Sequence, residues 1–225
     1  MSLIRYYTFR IPSESAIYLL SLTAGGMDVV AFVKFHLVFT SAMTGNIALL
    51  GISIGNGEFL LSTHSLAALF GFLTGAYIGS MLIRLQKNLS LILIVEVIIL
   101  VIYAFLWINI GFISSGIYLY IFIILSSGSM GLQSVAARLI NVASIPSVVF
   151  TNTITSIVIQ VYEYIRVKDK LPIAALRQIY ALLSYIFGAT IFSWLLYSAP
   201  DAAVMLPSLI IIIIAVSEVV PHKAT

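Results

Sequence analysis

Eight apolar runs, six of them near the length of a membrane crossing, decide what this chain can become. They fall at about 15–35, 41–56, 63–83, 89–109, 116–138, 147–162, 175–198 and 202–220. A helix needs roughly 20 residues to cross a hydrocarbon core of ~30 Å, so the six longer runs read as transmembrane helices. The runs at 41–56 and 147–162 are shorter and open with polar side chains, so they read as re-entrant or short helices. The fold class expected is all-α, a polytopic membrane helix bundle of six transmembrane helices plus two re-entrant or short helices, in a single transmembrane domain over residues 1–225. Composition agrees: 61% of residues are hydrophobic and 8% charged, against about 45–50% and 25% in soluble domains. A soluble enzyme or a nucleic-acid binder cannot be assembled from so few charges. The run at 15–35 is too long for the core of a signal peptide and lacks a small-residue cleavage site, so it reads as a retained first span. Without cysteine there is no disulfide framework and no thiolate metal site.

Charge placement decides whether the two short runs cross. With both re-entrant and the N-terminus cytoplasmic, Arg5, Arg10, Arg84, Lys87, Arg138, Arg166, Lys168, Lys170, Arg177 and Lys223 collect inside and only Lys34 lies outside. Letting both cross moves Arg84, Lys87 and Arg138 outside. The preference for basic residues on the cytoplasmic side therefore selects six spans, with both termini cytoplasmic in an inner membrane. The loop from Tyr162 to Gln178 then holds most of the charge, set against anionic headgroups. Trp107, Tyr118, Tyr120, Trp194 and Tyr197 fall near span ends as an outer interfacial belt.

A weak internal similarity runs through the apolar background. Gly26-Met27-Asp28-Val29-Val30-Ala31 aligns with Gly131-Leu132-Gln133-Ser134-Val135-Ala136, and Met43-Thr44-Gly45-Asn46 with Phe150-Thr151-Asn152-Thr153. Each half, 15–110 and 116–220, reads as span, short polar-led segment, span, span. In a six-span topology the halves are inverted, the build of channels and secondary transporters with broken helices at membrane depth.

Polar residues inside spans are the candidates for chemistry. Asp28 lies about three residues, or roughly 4.5 Å, beyond the middle of the first span. A central acid costs about 2.5 to 3.5 kcal/mol on insertion scales, which leaves two readings open: a proton or cation site, or a buried ion pair with Lys34 or Arg138 as charge partner. Glu96 has only apolar neighbours and the same two readings, its alternative being to snorkel toward Arg84 and Lys87. Gln133 is the repeat counterpart of Asp28. Thr44, Gly45 and Asn46 open the first short segment, and Thr151, Asn152 and Thr153 the second. Such residues cap helix starts, whose partial positive charge also suits an anion or polar ligand. Gly71, Gly75 and Gly79 form a ladder for close helix packing, within the subunit or across a homodimer. Ser126-Ser127-Gly128-Ser129 packs in the same way or lines a polar path near Gln133. His36, His64 and His222 lack metal-ligand spacing, so no metal and no cofactor is expected.

The chain resembles the YoaK-like family of small bacterial membrane proteins, catalogued as domain of unknown function 1275. The resemblance rests on Gly26-Met27-Asp28-Val29, on Met43-Thr44-Gly45-Asn46 continuing through Gly51, and on Met130-Gly131-Leu132-Gln133 through Arg138. It covers nearly the whole chain. Phe150-Thr151-Asn152-Thr153 stands where the family usually has Met-Thr-Gly-Thr, and Ser134 where it often has asparagine. The resemblance implies a six-span inner-membrane protein and supplies no activity.

The function expected is a small-solute transporter or channel, with a polar path at the repeat interface through Asp28, Gln133 and the two polar segment starts. The alternative is a non-transporting membrane scaffold or assembly factor. Enzyme motifs are absent. The partners expected are the lipid bilayer, a small polar or ionic solute and a second copy of the chain, with no nucleic acid.

Overall fold

The structure, a computed structural model, describes residues 11–86, 89–111, 115–140, 150–167 and 170–219. Arg5, Arg10, Lys87, Lys168, His222 and Lys223 lie outside the described residues. The elements are helices: α1 Ser13–Lys34, α2 Met43–Gly55, α3 Phe59–Gln86, α4 Leu89–Ile110, α5 Ile117–Ile140, α6 Phe150–Val167, α7 Ile173–Ser198 and α8 Pro200–Val219. Six are long and apolar enough to cross a membrane: α1, α3, α4, α5, α7 and α8. A multi-pass bilayer protein is the consequence.

Local sequence sets the boundaries. Pro12 and Pro172 stand at the N-caps of α1 and α7, where a missing N–H costs nothing. Glu14 in the first turn of α1 and Lys34 in its last complement the helix dipole. Gly57 and Gly111 close the hairpin after α2 and the end of α4 with φ of 75° and 77°, a conformation that favours glycine. Two expected boundaries shift. α6 runs on to Val167, so the charged stretch from Tyr162 contains a helical end and the first turns of α7 instead of one loop. Trp107 is buried against Phe35, Tyr103 and Phe122, so the interfacial belt loses that member; Trp194 and Tyr197 remain exposed.

Side-chain contacts fix the direction of each span. Leu20 meets Gln133 and Phe35 meets Phe122, so α1 and α5 are antiparallel. Gly71, Gly75 and Gly79 meet Ile124, Gly128 and Val135 in order, so α3 and α5 are parallel. α1 and α3 therefore run in opposite directions, and the segment between them leaves and returns on one side. By the same reasoning α7 is parallel to α1, through Tyr18 with Tyr180 and Gly26 with Phe192, and α6 makes no net crossing. We call the end of the bundle at Ser13 the near end and that at Lys34 the far end.

The packing partners come in matched sets. The two most extensive contacts are α3 on α5 and α1 on α7; α4 and α5 pair as α8 and α1 do, α2 and α3 as α6 and α7, α3 and α4 as α7 and α8, while α4 with α8 and α1 with α5 are self-matched. Exchanging α1–α4 for α5–α8 leaves the pattern unchanged. Small residues make the two main crossings possible. A Cβ on Gly75 or Gly131 would collide with the Gly128 or Phe72 carbonyl, and one on Gly25 or Gly188 with the Tyr185 or Leu22 carbonyl. Gly71, Gly75 and Gly79 thus serve a contact inside the subunit.

Candidate functional site

The connection from α1 to α2 places irregular backbone alongside the last turns of α1. After Lys34 the chain turns back through His36 and Leu37, at φ 56° and 65°, an unusual region for residues with a Cβ. Residues 38–41 then run back along α1 as far as Asp28, six residues or about 9 Å before its end. α2 starts there, so its N-terminus points into the protein interior.

Every N–H in the segment from Phe39 to Ser41 is satisfied by a side chain. Asn46 closes a two-way bond with the Phe39 peptide: its Oδ1 accepts from the Phe39 N–H at 2.8 Å and its Nδ2 donates to the Phe39 carbonyl at 2.7 Å. Asp28 Oδ1 accepts from the Thr40 N–H at 2.8 Å, the Thr40 hydroxyl at 3.0 Å and the Ser41 N–H at 2.7 Å. Its Oδ2 accepts from the Ser41 hydroxyl at 2.6 Å and the Tyr185 hydroxyl of α7 at 2.8 Å. These five donors surround a carboxyl that is 2% exposed. The carboxylate is held by hydroxyls and amides. Arg138, one expected partner, is exposed near the end of α5.

Asp28 therefore does from a distance what a capping residue does locally. The N-cap of α2 is Ala42, with no side-chain cap bond, and the negative charge beside this helix start comes from α1. The capping role expected of Thr44 and Asn46 is corrected accordingly: both lie inside α2, Thr44 exposed and Asn46 buried on the Phe39 peptide. Gly45 is there because a Cβ would lie 2.9 Å from the Phe39 ring. In the second half Thr151 and Asn152 are exposed and Thr153, the counterpart of Asn46, is buried. Asn152 shares a 490 Å³ surface groove with Thr155, Ser156 and Gln160.

Glu96 presents the opposite accounting. It is fully buried, and neither carboxyl oxygen has a hydrogen-bond partner, so snorkelling toward Arg84 does not occur. Gln133 Nε2 donates to the Leu20 carbonyl at 2.8 Å, leaving its Oε1 unpartnered, as is the hydroxyl of Ser21 next along α1. The Ser126, Ser127 and Ser129 hydroxyls donate to carbonyls of their own helix. Helix register relates Glu96 to these groups. Tyr103 of α4 and Phe122 of α5 are in contact, ring centroids 5.8 Å apart. Seven residues along each antiparallel helix, about 10.5 Å and back on the same face, bring Glu96 to the level of Ser129. Gln133 is one turn further toward the near end.

At the far end His36 and His64 stack with centroids 5.0 Å apart, beside Tyr120. Among the described residues no group of three His, Cys, Asp or Glu side chains is placed to hold a metal. A groove of 710 Å³ lies apart from these sites on side chains of α7 with Tyr18. A second, of 570 Å³, reaches Val29 and Tyr185, beside Asp28.

Comparison with known proteins places this arrangement in a family. Over 145 residues the chain is 38% identical to the UPF0700 transmembrane protein YoaK of Bacillus subtilis (strain 168), a match covering 62% of this chain and 63% of that protein. No solved structure matches. Residues 16–217 match the family described as protein of unknown function (DUF1275), and the chain, Asp28 node and Glu96 included, belongs to that family.

Proposed function

We propose that this protein is a small-solute transporter or channel of the inner membrane, built from two inverted repeats, 15–110 and 116–220. The single observation that carries the reading is the group of unpartnered polar atoms on Glu96, Gln133 and Ser21, at the contact between the halves. An acid in a bundle interior costs several kcal/mol unless it is used or paired, and a purely structural bundle gains nothing by keeping it. The matched packing and the broken segment before α2 support the reading, since such segments line polar cavities in transporters. We take the near end as cytoplasmic, with both termini there. Arg84, Arg138, Arg166, Lys170 and Arg177 gather at that end and Lys34 at the other.

Reconstituted in liposomes, the protein should raise permeability to some member of a panel of small polar and ionic solutes. Osmotic light scattering and an internal pH dye would follow it. Gln133→Leu should lower flux per folded molecule. Folded protein without flux for any member of the panel contradicts the reading. Single cysteines at Gly57 and Gly116 should label from one side and cysteine at Lys170 from the other; labelling of all three from one side contradicts the topology.

A second reading, a non-transporting scaffold, is favoured by one observation: Asp28, buried in the first span, is wholly engaged in holding the chain. It predicts that substitutions at Asp28 and Glu96 alter any cellular phenotype only in proportion to protein abundance.

A further inference from the structure

We propose that Glu96, and not Asp28, is the group that takes up and releases a proton at membrane depth, with Gln133 as its polar neighbour. The inference deepens the transport reading above, on which it rests, by naming the proton as the transported or coupled species.

The two carboxyls differ in what they already hold. Asp28 accepts five hydrogen bonds, two of them from the backbone N–H groups of Thr40 and Ser41. Both of its oxygens are already occupied in holding the segment and Tyr185. Glu96 has both oxygens free of partners and full burial. A proton on it displaces no bond. The groups around it fit a proton better than a metal cation. A hard cation needs about six oxygen ligands, whereas among the described residues the unfilled buried oxygens of this part of the bundle are those of Glu96, Gln133 Oε1 and the hydroxyls of Ser21 and, two turns along α4, Tyr103. The serine hydroxyls of α5 are turned to their own carbonyls. A carboxylic acid needs one acceptor, and Gln133 Oε1, one turn from the level of Glu96, has no donor.

The charged groups on the elements packed against α4 stand away from it. On α3, Arg84 is at the near end and His64 at the far end; α5 has Tyr118 and Tyr120 at the far end and Arg138 at the near end; α8 has Asp201 and Glu218 at its two ends. Tyr77 is exposed on α3. Tyr103, two turns along α4, is the titratable group that shares the buried face of Glu96. Among the described residues nothing at this level supplies a fixed cation, so the charge on Glu96 follows its proton.

The test is infrared difference spectroscopy of the full chain in liposomes as pH is stepped, which reads proton uptake whether or not solute moves. The wild type should show a reversible neutral-carboxyl carbonyl band. Glu96→Gln should lose it, Asp28→Asn should keep it, and Gln133→Leu should shift it in frequency. Should Glu96→Gln fail to fold, Glu96→Asp takes its place and must move the band. A band unaffected by any substitution at Glu96, or lost only with Asp28→Asn, overturns the proposal. The band present in protein that shows no solute flux would instead fault the transport reading and leave the proton site standing.

Discussion

Two buried acids in one bundle, Asp28 and Glu96, face opposite conditions. Asp28 binds the backbone of a re-entrant segment, the hydroxyls beside it and a tyrosine from α7; Glu96 binds no described group. Rarity in the sequence made both candidates for chemistry. Their surroundings separate them, because a buried acceptor surrounded by donors is fixed, whereas one without donors must change state, meet water or carry a cost. The first holds the fold together and the second is available to work.

The largest effect that would sharpen this comparison is at Asp28. Asp28→Ala leaves two backbone N–H groups and three hydroxyls without their acceptor, at about 1–3 kcal/mol for each buried group left unsatisfied. Folded yield and melting temperature in detergent should collapse. A variant that melts like the wild type would break the comparison at its strong end. Next comes Asn46→Ala, which frees both polar groups of the Phe39 peptide and should cost roughly 2–3 kcal/mol, measured by equilibrium unfolding in mixed micelles. A smaller loss, about 1 kcal/mol, is expected for Tyr185→Phe, which removes one of the five bonds. Its unfolding midpoint should fall between those of the wild type and Asn46→Ala. At the far end of the scale, Glu96→Leu replaces an unpartnered polar group by an apolar one and should leave stability unchanged or raise it. Destabilisation as large as at Asn46 would mean that Glu96 is tied into the fold after all.

Much of this architecture can be read from the residues. Run lengths locate the six spans to within a few residues, and the placement of basic residues anticipates the directions that contacts along α1, α3, α5 and α7 display. The Gly71, Gly75 and Gly79 spacing signals a close crossing, since only a missing Cβ lets a helix meet another's carbonyls. The partners of Asp28 are not legible, because its donors are distant in sequence: Thr40 and Ser41 across a turn, Tyr185 from the other half. Asn46 misleads for a related reason. Its position at a helix start suggests a cap, yet the Phe39 peptide folding back seven residues earlier takes both ends of its amide. Glu96 looks like a residue able to snorkel, and only the packing of α4 against α5 and α8 shows that its face points inward.

The most direct measurement is the unfolding free energy of the two isosteric variants, Asp28→Asn and Glu96→Gln, side by side in the same micelles. Asp28→Asn should lose roughly 2 kcal/mol, since an amide returns a donor where the node needs acceptors, and Glu96→Gln should stay within about 0.5 kcal/mol of the wild type. The reverse order, with Asp28→Asn neutral and Glu96→Gln destabilised, would contradict this division between the two acids.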